Sequence, residues 1–201
     1  VSALLKLSSL IDAANGVLGH LIRWLILGSV LISAGNAVLR KVFNVGSNAW
    51  LEIQWYLFAA VFMLGVGYVL QKNAHVRIDF VSSRLSKRTN AIIDAIGIVV
   101  FIIPLSLIMI DLGWPLFARA WASGETSQNA GGLIRWPVLL LIPVGFGILA
   151  LQAVSELIKR LAFLAGARPE PFTVEHVKTE EELLAEELAA KVETAAAGGS
   201  R

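Results

Sequence analysis

The chain has 201 residues, 56% of them hydrophobic and 16% charged, with a formal net charge of +2. Soluble domains carry about a quarter of their residues as charges. With a mean hydropathy of +0.71, this composition points to an integral membrane protein and gives no footing for a nucleic-acid partner. There is no cysteine and there are three histidines, which excludes disulfides, thiol nucleophiles and cysteine metal sites and leaves little room for metal or haem chemistry.

In chain order, Val1 to Asn15 spaces Leu4, Leu7, Leu10 and Ile11 as one helix face. Residues 1–16 are expected either to lie flat at the membrane interface or to fray. They lack the compact apolar core and small-residue exit site of a cleavable signal, so the first span is expected to direct targeting. Residues 17–165 form the membrane domain, with spans at about 17–39, 53–71, 91–112 and 136–157. In the first, the uncharged run covers only Trp24 to Leu39, short of the ~20 residues that cross a bilayer core. Arg23 is therefore placed inside the helix, with its guanidinium snorkelling to the near interface. Ser29, Ser33 and Ala37 recur every fourth residue as a small-residue packing stripe.

The second span starts among Trp50, Glu52, Gln54, Trp55 and Tyr56 and ends in a basic segment holding His75, Arg77 and Asp79. Glu52 has three candidate cations, Arg40, Lys41 and Arg135, and a partner subunit is the alternative. His75, Arg77 and Asp79 alternate with apolar residues, as in an extended segment with one polar face. The third span carries Pro104 at its middle, which predicts a kink in the helix. Pro143, with Gly145 and Gly147 nearby, permits another in the fourth. Between these two spans, Trp114, Trp121 and Trp136 suit the headgroup layer. A short interfacial helix is expected over Trp114 to Ala122, ending at Ser123-Gly124, and Asn129-Ala130-Gly131-Gly132 calls for a turn. Residues 166–201 form an acidic tail with a capping box at Thr179 and Glu182.

Lysine and arginine set the orientation. Lys72, Arg77, Arg84, Lys87, Arg88, Lys159, Arg160 and Arg168 lie on one side, against Arg40, Lys41, Arg119 and Arg135 on the other. The heavier side is cytoplasmic. The fold class is thus an all-α integral membrane four-helix bundle with both termini cytoplasmic, short interfacial helices and a soluble acidic C-terminal helix.

No catalytic triad, metalloprotease motif, phosphate loop or suitably spaced carboxylate pair occurs, so an enzyme is not expected, nor a cofactor or a metal. Glu52, Asp94 and Asp111 all fall at span ends, which argues against a stand-alone transporter. An alternative is a haem- or quinone-binding membrane anchor of a redox complex, with His20 and His75 on the same side as its ligands.

Three runs, taken together and in order, carry a family resemblance. They are Trp50-x-Glu52-x-Gln54-Trp55-Tyr56-Leu57-Phe58, Leu64-Gly65-x-Gly67-Tyr68 and His75-Val76-Arg77-Ile78-Asp79. They resemble the small membrane subunit of tripartite ATP-independent periplasmic (TRAP) transporters. The run from Ser127 through Asn129, Gly131, Gly132, Arg135 and Trp136 to Pro137, and the stretch from Pro143 to Arg160, are similar to the same family. The resemblance covers about Leu18 to Ala165. It implies a bacterial inner-membrane uptake system for organic acids, driven by sodium. A periplasmic protein captures the substrate and a large multi-span subunit moves it. The small subunit packs on the large one's scaffold, in contact with membrane lipid, and helps to receive the periplasmic protein. The resemblance assigns Trp50, Glu52, Gln54, His75, Arg77, Asp79, Asn129, Gly131, Gly132, Arg135 and Trp136 interface or structural roles and none of them a substrate.

Overall fold

A computed structural model describes residues 2–44, 46–73 and 84–169. His75, Arg77, Asp79 and the acidic tail lie outside the described residues. The described residues form helices α1 (Ser2–Phe43), α2 (Asn48–Gln71), α3 (Lys87–Gly97), α4 (Ile103–Ser123) and α5 (Trp136–Leu164), with a π-helical turn (Ile98–Ile102) joining α3 to α4. Among the described residues, four units are long and apolar enough to cross a membrane: α1, α2, the continuous α3–α4 rod and α5. The last helix packs on each of the others and so forms the centre of the bundle.

The helix ends follow from local chemistry. Asn44 and Asn73 stand just beyond α1 and α2 with φ of 52°, and Gly124 and Gly166 follow α4 and α5 with φ of 62° and 74°. Asparagine and glycine tolerate this left-handed geometry, which turns the chain out of the helix. Ser86 caps α3 by accepting from the Thr89 amide at 3.1 Å.

The interior is polar or small and the exterior is apolar. Among the described residues the buried hydrophobics are Ile22, Ala91, Ile98, Ala120, Ala153 and Ala162, while large side chains such as Trp24, Phe62 and Phe101 are exposed. Lipid is as apolar as leucine, so association in a bilayer depends on close packing and on polar contacts rather than on hiding hydrocarbon. The glycines show how close that packing is. A Cβ placed on Gly145 would stand 2.7 Å from the Met63 carbonyl oxygen, and one on Gly19 would stand 2.6 Å from the Tyr68 ring.

In α1 the buried row is Ser8, Asn15, Ile22, Ser29 and Asn36, with Gly19 alongside. Its step of seven is the seam of a left-handed supercoil. The expected stripe of Ser29, Ser33 and Ala37 follows a four-residue step instead and drifts off this seam: Ser29 is buried, Ser33 partly so, and Ala37 exposed.

The third span keeps the same seam through a defect. Its buried residues are Ala91, Ile98, Ser106, Gly113 and Ala120, steps of seven except for one step of eight. The step of eight crosses the π-helical turn, where the Ile103 amide bonds to the Ile98 carbonyl five residues back. A π turn inserts one residue, so the row after it stays on the same face. Pro104, where a kink is expected, follows this π turn near the start of α4. The rod also runs through Pro115 to Ser123. The segment expected as a separate interfacial helix from Trp114 is therefore the end of the same rod, because Gly113 and Ala120 continue the buried row past Pro115.

Residues 2–16 likewise differ from both expected arrangements. They continue α1 without a turn, making a helix of 42 residues or about 63 Å, against a hydrocarbon core of about 30 Å. Contacts with α5 hold this extension in place.

Candidate functional site

The polar side chains gather at the two ends of the bundle. At the Trp-rich end, Glu52 in the second turn of α2 is 1% exposed. Its Oε1 accepts from Asn129 Nδ2 at 2.8 Å and from the Ser127 hydroxyl. Its Oε2 accepts from the Leu133 amide at 2.6 Å. The donors thus all come from the α4–α5 loop. No ion pair among the described residues includes Glu52, so none of the cations expected for it is its partner. Arg135 instead pairs with Glu125 at 3.1 Å, and its backbone amide bonds to the Glu125 carbonyl at 3.0 Å.

The loop folds back on itself around this carboxylate. Thr126 and Ile134 form an antiparallel bridge, and the Ser127 amide donates to the Leu133 carbonyl at 2.8 Å. Gly131 takes a φ of 71°. At Gly132 a Cβ would stand 2.6 Å from Ser127 Cβ and 2.9 Å from Glu52 Oε1, so only glycine lets the loop close over the acid. Asn48 donates to the Ala130 carbonyl at 2.9 Å and Tyr56 to the Ile134 carbonyl at 3.0 Å. Beside the loop, Trp136 meets Trp121 edge-on at 4.7 Å, with Phe117 and Trp114 continuing the aromatic band.

Glu52, Asn129, Gly131, Gly132, Arg135 and Trp136 therefore belong to one folded unit. Trp50 is exposed. Gln54 faces away from this unit, into a groove between α1 and α2.

At the basic end a second assembly ties α1, α3 and α5 together. Asp12 Oδ1 accepts from Ser155 Oγ at 2.8 Å and from Gln152 Nε2 at 2.9 Å, and Oδ2 accepts from Lys159 Nζ at 2.9 Å. Asn15 donates to Gln152 Oε1 at 2.5 Å, and the Ser8 and Ser155 hydroxyls meet at 2.8 Å. Glu156 pairs with Lys159 and, at 2.5 Å, with Arg160, which reaches Asp94 on α3 at 3.3 Å. Gln71 of α2 donates to the Asp12 carbonyl at 2.9 Å. Glu156, Lys159 and Arg160 are each at most 3% exposed. Buried charges are tolerable only when paired and hydrogen-bonded, as these are.

Composition and charge counting see Lys159 and Arg160 only as cytoplasmic-side cations. The signal for their burial is a pair of matching ladders. Ser8, Asp12 and Asn15 share one face of α1, and Gln152, Ser155, Glu156 and Lys159 share one face of α5.

Two further residues stand apart. His20 is exposed, with Nδ1 2.9 Å from the Gly16 carbonyl oxygen, and among the described residues no group of three or more metal-ligating side chains gathers. Arg23 is exposed on α1.

Against known families, residues 29–163 match the model of "Tripartite ATP-independent periplasmic transporters, DctQ component". That range holds the whole Glu52 unit and the α5 side of the basic-end assembly, whereas Ser8, Asp12 and Asn15 precede it. No match was found among curated proteins or among solved structures. With more than half of its length matched, four apolar helices and its Glu52-centred loop inside that range, the chain belongs to the DctQ family of TRAP transporter membrane subunits.

Proposed function

We propose that this chain is the non-transporting small subunit of a sodium-driven TRAP uptake system for organic acids, and that it works by packing rather than by chemistry. In this reading it sits in the bacterial inner membrane with both termini in the cytoplasm. It packs on the scaffold of the large transport subunit and offers its Trp-rich end to the periplasmic substrate-binding protein.

The carrying observation is the engagement of the buried and half-buried acids. Glu52 takes its donors from the loop. Asp12 and Glu156 take theirs from α5, and Asp94 takes one from Arg160. Transport sites in membranes need polar groups left open to substrate or ion at mid-depth, and these acids sit at the two ends and are already engaged. The hydrogen bonds that hold the loop over Glu52 support this reading, since a docking platform requires a fixed surface.

The test is reconstitution of the three components in proteoliposomes. The expected result is that this chain co-purifies with the large subunit and that uptake of an organic acid requires both. Uptake by this chain and the binding protein alone would overturn the reading.

A further inference from the structure

The seam between α1 and α2 carries two cavities, one above the other. The first, of about 460 Å³, opens at the Trp-rich end and is lined by Ser33, Asn36, Arg40, Lys41, Leu51 and Gln54 among others. The second, of about 440 Å³, lies deeper and is apolar, between Ile22 and Ile26 of α1 and Val61, Phe62, Val66 and Val69 of α2. On α1, Ile22, Ile26, Ser33, Ala37 and Arg40 follow steps of three, four and seven. On α2, Gln54, Val61, Gly65 and Val69 do the same. Both cavities therefore open on one face of the seam. From Arg40 to Ile22 the seam runs 18 residues, about 27 Å.

The polar cavity has an unspent complement of donors. Asn36 is 5% exposed, yet among the described residues no side-chain hydrogen bond is made by Asn36, Arg40, Lys41 or Gln54. Arg40 and Lys41 are exposed and Gln54 is half-buried, and this set of two cations and two amides faces a common space open to a ligand. No carboxylate lines it, because neighbouring Glu52 turns the other way into its loop. Between the cavities along α1, Ser29 is buried with its hydroxyl unpartnered.

We infer that this seam binds one anionic phospholipid, with its phosphate between Arg40 and Lys41 and one acyl chain along the apolar cavity. Arginine matches phosphate oxygens with paired N–H donors and lysine adds a point charge. Asn36 and Gln54 complete the shell around the head group. Exposed Trp50 and Trp55 flank the polar end, at the depth where tryptophan meets head groups. The order along the seam, charged then apolar, is the order of a lipid and not of a free anion. The assignment does not depend on which subunit the bundle joins.

The test is native mass spectrometry of the full chain, stripped of lipid in detergent and then offered phosphatidylglycerol, phosphatidylcholine or glycerol 3-phosphate. One phosphatidylglycerol is expected to stay bound at energies that remove phosphatidylcholine, and glycerol 3-phosphate is expected not to bind. The variant R40Q/K41Q should cut phosphatidylglycerol occupancy at least tenfold. V66F, which fills the apolar cavity, should cut it as well, and R119Q, a cation outside the groove, should leave it unchanged. Equal retention of the two phospholipids, full retention in R40Q/K41Q or an equal loss in R119Q would overturn the site. Binding of glycerol 3-phosphate as strong as that of the lipid would overturn the acyl groove.

Discussion

The Asp12 carboxylate of α1 and the Lys159 ammonium of α5 meet at 2.9 Å across 147 residues of sequence. This contact closes the bundle between its first and last helices and explains why α1 runs on past the length of a span. Lys159 is 3% exposed and Asp12 23%. Removing one member of such a pair leaves a buried charge unmatched, at about 3–5 kcal/mol. Asp12→Leu should sit near the lower end of that range, since Lys159 keeps Glu156, and Lys159→Leu higher, since Asp12 and Glu156 each lose a cation. The double variant should be less destabilised than the sum of the singles by at least about 1 kcal/mol. Thermal unfolding of the purified chain measures all three, and strict additivity would show that the pair does not act as a unit.

At the other end, the fold of the α4–α5 loop depends on Glu52 as an acceptor of three hydrogen bonds. Glu52→Gln keeps the shape but turns an N–H₂ group toward donors. The Leu133 amide, bonded to Glu52 Oε2 at 2.6 Å, should then exchange with solvent at least about tenfold faster. Gly132→Ala should do the same by another route, because its Cβ would meet Ser127 and Glu52 inside contact distance. Hydrogen exchange across residues 124–135 reads both variants, and an unchanged loop in either one would remove Glu52 as its organiser.

Much of this fold is legible in the sequence because its determinants are local. Apolar runs mark the spans, Ser123-Gly124 marks where a helix stops, and Asn129 to Gly132 calls for a turn. What is not legible depends on distant residues. Residues 2–16 are helical and docked because Ser8, Asp12 and Asn15 find Gln152, Ser155 and Lys159. The acceptors and donors of Glu52 are likewise a matter of placement. Three cations are in reach by sequence, yet neutral loop groups take the position because Gly132 lets the backbone close in.

The π-helical turn allows a sharper test of register. Val100 lies within it and is exposed. Deleting Val100 should convert the turn to α-helix and change the step from Ile98 to Ser106 from eight to seven, leaving Ala91, Ile98, Gly113 and Ala120 on one seam. The stability loss should stay within about 1 kcal/mol. Deleting Ile108, in the regular part of α4, should rotate Gly113 and Ala120 by about 100° off the seam. That would undo the packing of Gly113 against Ile142 and Pro143. Expression as a monodisperse species separates the two, and equal damage from both deletions would show that the π turn is not a register device.

Arg23 supplies the last prediction. Its neighbour Ile22 is the contact nearest Gly65 of α2, 3.6 Å from where a Cβ there would sit. Gly65 is thirteen residues from Glu52 and seven from Lys72, or about 20 Å and 10 Å along the helix. Arg23 therefore sits in the middle third of the bundle's depth, exposed beside Trp24, which is 71% exposed. No ion pair among the described residues includes it. A guanidinium at the helix centre costs about 2.5–3.5 kcal/mol on insertion scales, and Arg23, nearer the Lys72 end, carries part of that cost. Among the described residues, Arg23→Leu removes no ion pair or side-chain hydrogen bond, so thermal stability of the isolated bundle should change by no more than about 0.5 kcal/mol. An acceptor on a neighbouring subunit would add to what snorkelling to the near interface recovers, and that source fits the proposed function. Recovery of the large subunit with the Arg23→Leu variant should therefore fall, while Arg23→Lys should restore part of it. Equal recovery with Leu and Arg would assign the side chain to lipid and place the scaffold contact on another face, such as the exposed Ile96 and Phe101 face of the third span.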